Sequence, residues 1–482
     1  MSPIISGLNT SPINSLISPT RSPVWRVALP GLKKLQASEV RQEQFTETTA
    51  FLNLIKQRWK REGVGNLEAV ELGLREALMK DGRQLLENLL KDASQELPQA
   101  VSQPGEKHHP DRSKSFDCLF GTVQLKRDYF YRPLENTGRV PLDEALGLID
   151  GSSPGLIRLA SRAAARSGYE AASQDLAAYA GIRIEGRQIQ RIVQYSGPLI
   201  AQELKQGRCH VEHPMPIMYV EVDGTGVPMV PQELVGRKGK QPDGSAKTRE
   251  VKLGCVFTQT ATDEEGNPLR DPGSTTYVGS FESSDSFGLK VREEARRRGI
   301  GKAAGIVFLG DGAAWVWEVA RLNFPTALCI LDFYHALEHL FELCRSLYAD
   351  EKWIVRIQEQ WIERMEEDGI EEVIASARQR LQDLPPELRN SVEKQIGYFE
   401  TNKDRMLYKT YRSKGYFYGS GVVEAGCRTV VGQRLKQSGM LWSRPGAENV
   451  LELRCALLGN RWDECWDRLH HSDYLNIRPV AC

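Results

Sequence analysis

Between Pro216 and His339 short apolar runs alternate with amphipathic stretches in an order that few folds accommodate. Alternating or continuous apolar residues predict strands over 217–223, 250–258 and 274–279, a helix over 284–298, and a buried strand over 305–311. A helix over 314–322, a fifth strand over 327–332 and a further helix follow. Two of these strands, IMYVEVD and GIVFLGD, close on an acid, Asp223 and Asp311.

Three strands, helix, strand, helix, strand, helix is the order of a ribonuclease-H-like mixed sheet, in which the first and fourth strands lie side by side and parallel. The fold class expected is therefore α/β, with a helical insertion and with N-terminal helical and hairpin regions. That topology brings Asp223 and Asp311 together. Two carboxylates so close repel unless a cation neutralises them. Hard oxygen donors select Mg²⁺ or Mn²⁺, and two such ions suit phosphodiester chemistry. Alternatively, a strand-terminal Asp caps the next helix, which Asp311 before Gly-Ala-Ala-Trp is placed to do. Glu424, after Gly419 and Gly421 and among few other acids, is the candidate third carboxylate, or else a first-turn glutamate favouring the helix dipole.

The remaining sequence sets the organisation. Residues 1–38, rich in Ser, Pro and Asn, read as a disordered lead-in without the features of a secretory signal. Helical spacing with a hairpin turning near Gly121 fills 39–140, and 141–205 reads as helix, turn at Gly181 and second helix. That arrangement is either an ordinary helical hairpin or a helix-turn-helix reader of DNA bearing Arg187 and Arg191. A catalytic domain is expected over 206–348 and 415–470, with a helical insertion over 349–414. Nine cysteines without a C-x-x-C pair argue for a reducing compartment, hence a cytoplasmic protein, and no apolar run is long enough for a membrane span. The formal net charge is zero, but 403–444 carries nine Lys/Arg against two acids, interleaved with Tyr408, Tyr411, Tyr416, Phe417 and Tyr418. Cations among flat rings suit a nucleic acid, as well as a charged face beside an aromatic core.

One motif points elsewhere. His335-x-x-Glu338-His339 fits the pattern of inverted zinc peptidases, in which two imidazoles on one helix bind zinc and a carboxylate serves a water, but the sequence identifies no third ligand.

The blocks VEVDGTGVPM, GRKGKQPDGSAKTREVKLG, VFLGDGAAWVWEVA, DFYHALEHL and GSGVVEAGCRTVVGQRLKQSGMLW, in this order, resemble the bacterial insertion-sequence transposases of the ISKra group, related to the Mutator-like DDE transposases. The resemblance spans about residues 112 to 466. It implies that Asp223, Asp311 and Glu424 form a metal-holding DDE triad with two Mg²⁺ or Mn²⁺ ions, and that Asp332 and His335 occupy an auxiliary [C/D]-x-x-H motif. It implies cleavage at element ends and transfer of the exposed 3′ hydroxyl to target DNA, by an oligomer on double-stranded DNA. Arg237, Lys238, Lys240, Lys247 and Arg249 in a charged loop, with Arg434, Lys436 and Trp442, would hold the DNA. Where relatives often carry cysteines after the paired tyrosines, this chain has Arg132-Pro-Leu-Glu-Asn-Thr137, which speaks against a zinc-stabilised N-terminal module. A zinc peptidase and a catalytically inactive DNA-binding protein are the alternatives.

Overall fold

The computed structural model describes residues 24–27, 45–96, 101–206, 215–239, 241–470 and 477–480. The chain divides into two units. In the smaller, made of 1–41 and 471–482, strand β1 (Val24–Val27) pairs antiparallel with β11 (Ile477–Val480). The lead-in expected over 1–38 otherwise lies outside the described residues.

The larger unit, 42–470, opens with helices α1 (Thr46–Glu62) and α2 (Leu67–Glu96). A hairpin follows, β2 (Lys107–Cys118) and β3 (Gly121–Arg132), with the short β4 (Thr137–Arg139) added to β3. It turns where expected, because Gly121 supplies a φ of +103°. After α3 (Pro141–Ala145), helix α4 (Pro154–Arg166) starts at Ser153, whose side chain accepts from Leu156 N–H, with Pro154 at its first turn. Helix α5 (Tyr169–Asp175) runs through a π-helical turn to Gly181 at φ +70°, and α6 (Gly186–Gln206) follows.

The central sheet comes next. Strand β5 (Met215–Pro228) pairs antiparallel with β6 (Thr248–Thr262), which also carries β7 (Pro268–Arg270) and β8 (Thr276–Ser280). Helix α7 (Ser284–Arg297) leads to β9 (Ala303–Gly310), parallel to β5, and α8 (Ala314–Asn323) leads to β10 (Leu328–Leu331), parallel to β9. The first and fourth principal strands, β5 and β9, are adjacent and parallel in a mixed sheet, as the element order predicts.

Then come α9 (Phe333–Leu347) and the insertion helices α10 (Glu351–Glu366), α11 (Ile370–Leu381), α12 (Pro386–Asn402) and α13 (Tyr408–Ser413). The chain returns through α14 (Gly421–Gly426), a π-helical turn, α15 (Gln433–Leu435), α16 (Arg444–Leu458) and α17 (Trp462–His470).

Period-two alternation gives the sheet two cores. Met218, Val220 and Val222 of β5 pack with Val256, Phe308 and residues of α7 and α8 such as Phe287, Val291 and Val319. Tyr219 lies on the other face, where Leu253, Cys255 and Leu309 meet Ala336 of α9, Val423 of α14 and Leu451 of α16. Glu221 and Asp223 share that second face with Tyr219.

Candidate active site

Strand β5 does not end at Asp223, as the sequence suggested. Its pairing with β9 stops at Glu221, opposite Leu309, while its pairing with β6 continues to Pro228 opposite Thr248. Asp223 therefore lies one pleat beyond the β9 ladder, still within a three-stranded β5–β6–β8 section, and only from Thr225 opposite Val251 onward do β5 and β6 run on as a two-stranded arm. Asp311 follows the last residue of β9. The two acids stand at the same step on neighbouring parallel strands, two residues past the Glu221–Leu309 pair.

Their electrostatics agree with this adjacency. Burial holds the half-buried Asp223 carboxyl above its ordinary value; hydrogen bonds from the Cys427 thiol and Gly224 N–H oppose this, the charge of Asp311 adds to it, and His335 opposes it. Asp311 accepts from Ala313 N–H at 3.0 Å, so it also shapes the start of α8. Gly312 between them has φ +94°, and a Cβ there would stand 2.7 Å from Cε2 of Tyr398, so only glycine fits. Tyr398, on insertion helix α12, donates its hydroxyl to the Asp311 carbonyl at 3.0 Å and stacks on His339 at 3.7 Å. Nothing in its sequence context marked Tyr398, because only the return of the insertion onto the sheet edge brings it there.

Glu424 sits in the first turn of α14, exposed, with Oε1 accepting from the Ser420 hydroxyl at 3.2 Å. The helix lies close on the sheet: a Cβ on Gly426 would be 2.8 Å from Tyr277 and 3.0 Å from Leu253, the residue opposite Asp223. Two buried acids reach its amino end. Val423 N–H donates to Glu221 Oε2 at 2.8 Å, and Ser420 N–H donates to Asp332 Oδ2. Asp332 also caps α9, its Oδ1 accepting from His335 N–H at 2.6 Å. Glu221 is fully buried, its other oxygen lacks a partner among the described residues, and burial pushes its carboxyl up to about 8, opposed by the Val423 hydrogen bond and assisted by the charges of Asp332 and Glu424. Sequence reading passed over Glu221, although an acid two residues before Asp223 in a buried strand shares its face by the period of the pleat.

The donor chemistry of the Asp223–Asp311 pair fits a hard divalent cation, which would relieve their mutual repulsion. The trio is not gathered to ligating range: among the described residues, no three His, Cys, Asp or Glu side chains form a group that could hold a metal ion. Nor does the zinc motif assemble one. The rings of His335 and His339 are 5.1 Å apart, but His339 Nδ1 bonds Gln395 at 2.7 Å, and the exposed Glu338 lies beside His335 at 3.5 Å.

The expected DNA contacts divide. Arg187 is exposed near the start of α6, and Arg191, also exposed, pairs with Asp150 at 3.0 Å. Arg237, Lys238 and Lys247 are exposed beyond the arm, and Lys240 lies outside the described residues. Arg249 is half-buried against Glu233 at 3.2 Å. Lys436 is exposed and donates to Thr225 Oγ1, two residues from Asp223. Arg434 and Trp442 are internal. The guanidinium of Arg434 lies 5.1 Å from the Tyr169 ring and 5.0 Å from that of Trp442, and its Nε donates to the Ala164 carbonyl at 2.8 Å. Trp442 Nε1 donates to the Leu435 carbonyl at 3.0 Å. These two build the interior, out of reach of a phosphate. The five rings of the 408–418 strip are likewise buried or half-buried, so that strip is largely the aromatic edge of the core.

Among the described residues no helix is long and apolar enough to cross a membrane. No family model matches the chain, and no curated protein matches it. Among solved structures, a Drosophila P element transposase strand transfer complex is similar at 8% identity over 67% of this chain and 82% of that one, with a TM-score of 0.25, a level that carries no weight for fold or activity.

Proposed function

We propose that the chain is a DDE transposase built on a ribonuclease-H-like core, cutting DNA at the ends of an insertion sequence and transferring the exposed 3′ hydroxyl to a target. The observation that carries this reading is the placement of Asp223 and Asp311 at one level on adjacent parallel strands, with Asp223 feeling the charge of Asp311. The docking of the Glu424 helix on the same sheet face supports it.

In this reading Asp223 and Asp311 hold Mg²⁺ or Mn²⁺, and Glu424 joins them by turning from Ser420. When bound, the metal pair supplies activation of the attacking oxygen and stabilisation of the leaving one. The chain's own residues present the DNA: Lys436 beside Thr225 meets a phosphate next to Asp223, while Arg237, Lys238 and Lys247 take the flanking backbone. His335 tempers the charge beside Asp223. Assembly as an oligomer on double-stranded DNA belongs to the same proposal.

The test is cleavage of duplex DNA carrying the element ends with Mg²⁺ or Mn²⁺. Asp223→Asn and Asp311→Asn are expected to lower the rate by about 10³-fold or more while leaving DNA binding intact. DNA binding without cleavage by the wild type would favour the inactive DNA-binding protein. Zinc-dependent peptide hydrolysis surviving Asp223→Asn would favour the peptidase.

A further inference from the structure

Helix α14 runs on through the π-helical turn into α15, but its N-cap residue Ser420 makes no side-chain cap, its hydroxyl being turned onto Glu424. Its amino end is instead held from outside. Ser420 N–H goes to Asp332, 88 residues away, and Val423 N–H goes to Glu221, 202 residues away. Both acids are fully buried, and they come from the C-terminal end of β10 and from β5, strands flanking β9 on either side. Among the described residues neither acid joins an ion pair, and neither reaches the surface.

We infer that Glu221 and Asp332 are positioning residues forming a two-point clamp on the first turn of α14, which fixes where Glu424 stands relative to Asp223 and Asp311. The inference rests on the reading of Glu424 as a catalytic acid. The two points have different chemistry. Asp332 accepts backbone N–H bonds on both oxygens, from His335 and from Ser420, so an amide in its place turns an NH₂ against a donor. Glu221 accepts a backbone N–H on one oxygen only, beside the weaker approach of the Cys255 thiol to that same atom at 3.8 Å, so a glutamine preserves the bond to Val423. Glu221→Gln is therefore the conservative change, and Asp332→Asn is not, although both replace an acid by its amide.

The experiment uses the full chain and element-end DNA. Glu221→Met, apolar and of similar length, removes the bond without leaving a buried acid, so stability is expected to hold while the cleavage rate at saturating DNA falls by about 10²-fold. DNA affinity stays unchanged, and Glu221→Gln recovers most of the rate. Asp332→Asn is expected to lose rate like Asp332→Ala. Because Glu221 acts through Glu424, Glu221→Met should cost little further rate in a Glu424→Gln background. Hydrogen exchange of residues 420–426, read without any activity, should rise in Glu221→Met and return in Glu221→Gln. A wild-type rate in Glu221→Met, fully multiplicative losses with Glu424→Gln, or unchanged exchange would each overturn the clamp. If the wild type itself gives no metal-dependent cleavage, the transposase reading falls, while the exchange measurement still decides whether the two acids hold the helix.

Discussion

Two basic residues two positions apart show how little residue type alone says about role. Arg434 is enclosed between Tyr169 and Trp442, whereas Lys436 is exposed beside the strand that carries Asp223. Arg434→Ala is expected to cost about 2–4 kcal/mol, read from the denaturant midpoint, through lost packing and an orphaned Ala164 carbonyl. Arg434→Lys should rescue little of it, since an ammonium cannot stack between two rings as a planar guanidinium does. Lys436→Ala should leave stability within about 0.5 kcal/mol and weaken DNA binding, lowering the slope of log affinity against log salt by about one. In the sequence the two look alike, because the difference is made by Tyr169, more than 260 positions away. The strand acids were legible for the opposite reason: a run such as GIVFLGD states its own burial, and the order of elements states which strand lies beside it.

Among elements, the contact of α14 with the sheet is the most exacting. Gly426→Ala would set a methyl 2.8 Å from Tyr277 and 3.0 Å from Leu253, so the helix must shift outward or the rings and branches must yield. The expected cost is about 1–3 kcal/mol in chemical denaturation, with slower cleavage because Glu424 moves with its helix. The sequence marked this helix start through Gly419 and Gly421, yet it gave no sign of the close approach at Gly426 or of the acids that cap the helix from other strands. Such acids are local only in space. The turn at Gly181 was legible from the glycine itself, since no other residue takes φ +70° so readily, but whether α6 reads DNA depends on Arg187 and Arg191 at its exposed face and not on the turn.

For the larger unit as a whole, pH enters through acids that the fold desolvates, among them the half-buried Glu452. Glu452 on α16 is held up to about 7 by burial, with Lys290 and Lys205 pulling it down and Glu448 and Glu282 pushing it up. A carboxyl raised in the folded state favours folding in its protonated form. Its contribution is complete below the unfolded value near 4.5 and disappears as pH rises through about 7. Glu452→Gln should therefore flatten the fall in stability across that interval and raise Tm by about 1–2 °C at pH 8, where the wild type carries the penalty. The arm formed by β5 and β6 has a mechanical consequence. Asp223 sits within an unbroken ladder that runs to Pro228 and Thr248, and Trp442 bonds its far end through Val230 N–H at 2.9 Å and the Pro228 carbonyl at 3.2 Å. Along β6 the ladder runs from Leu253, opposite Asp223, straight to Thr248 beside Lys247, so under the proposed function a duplex pulling on that lysine would tug the carboxylate along a stiff lever, coupling grip to aim.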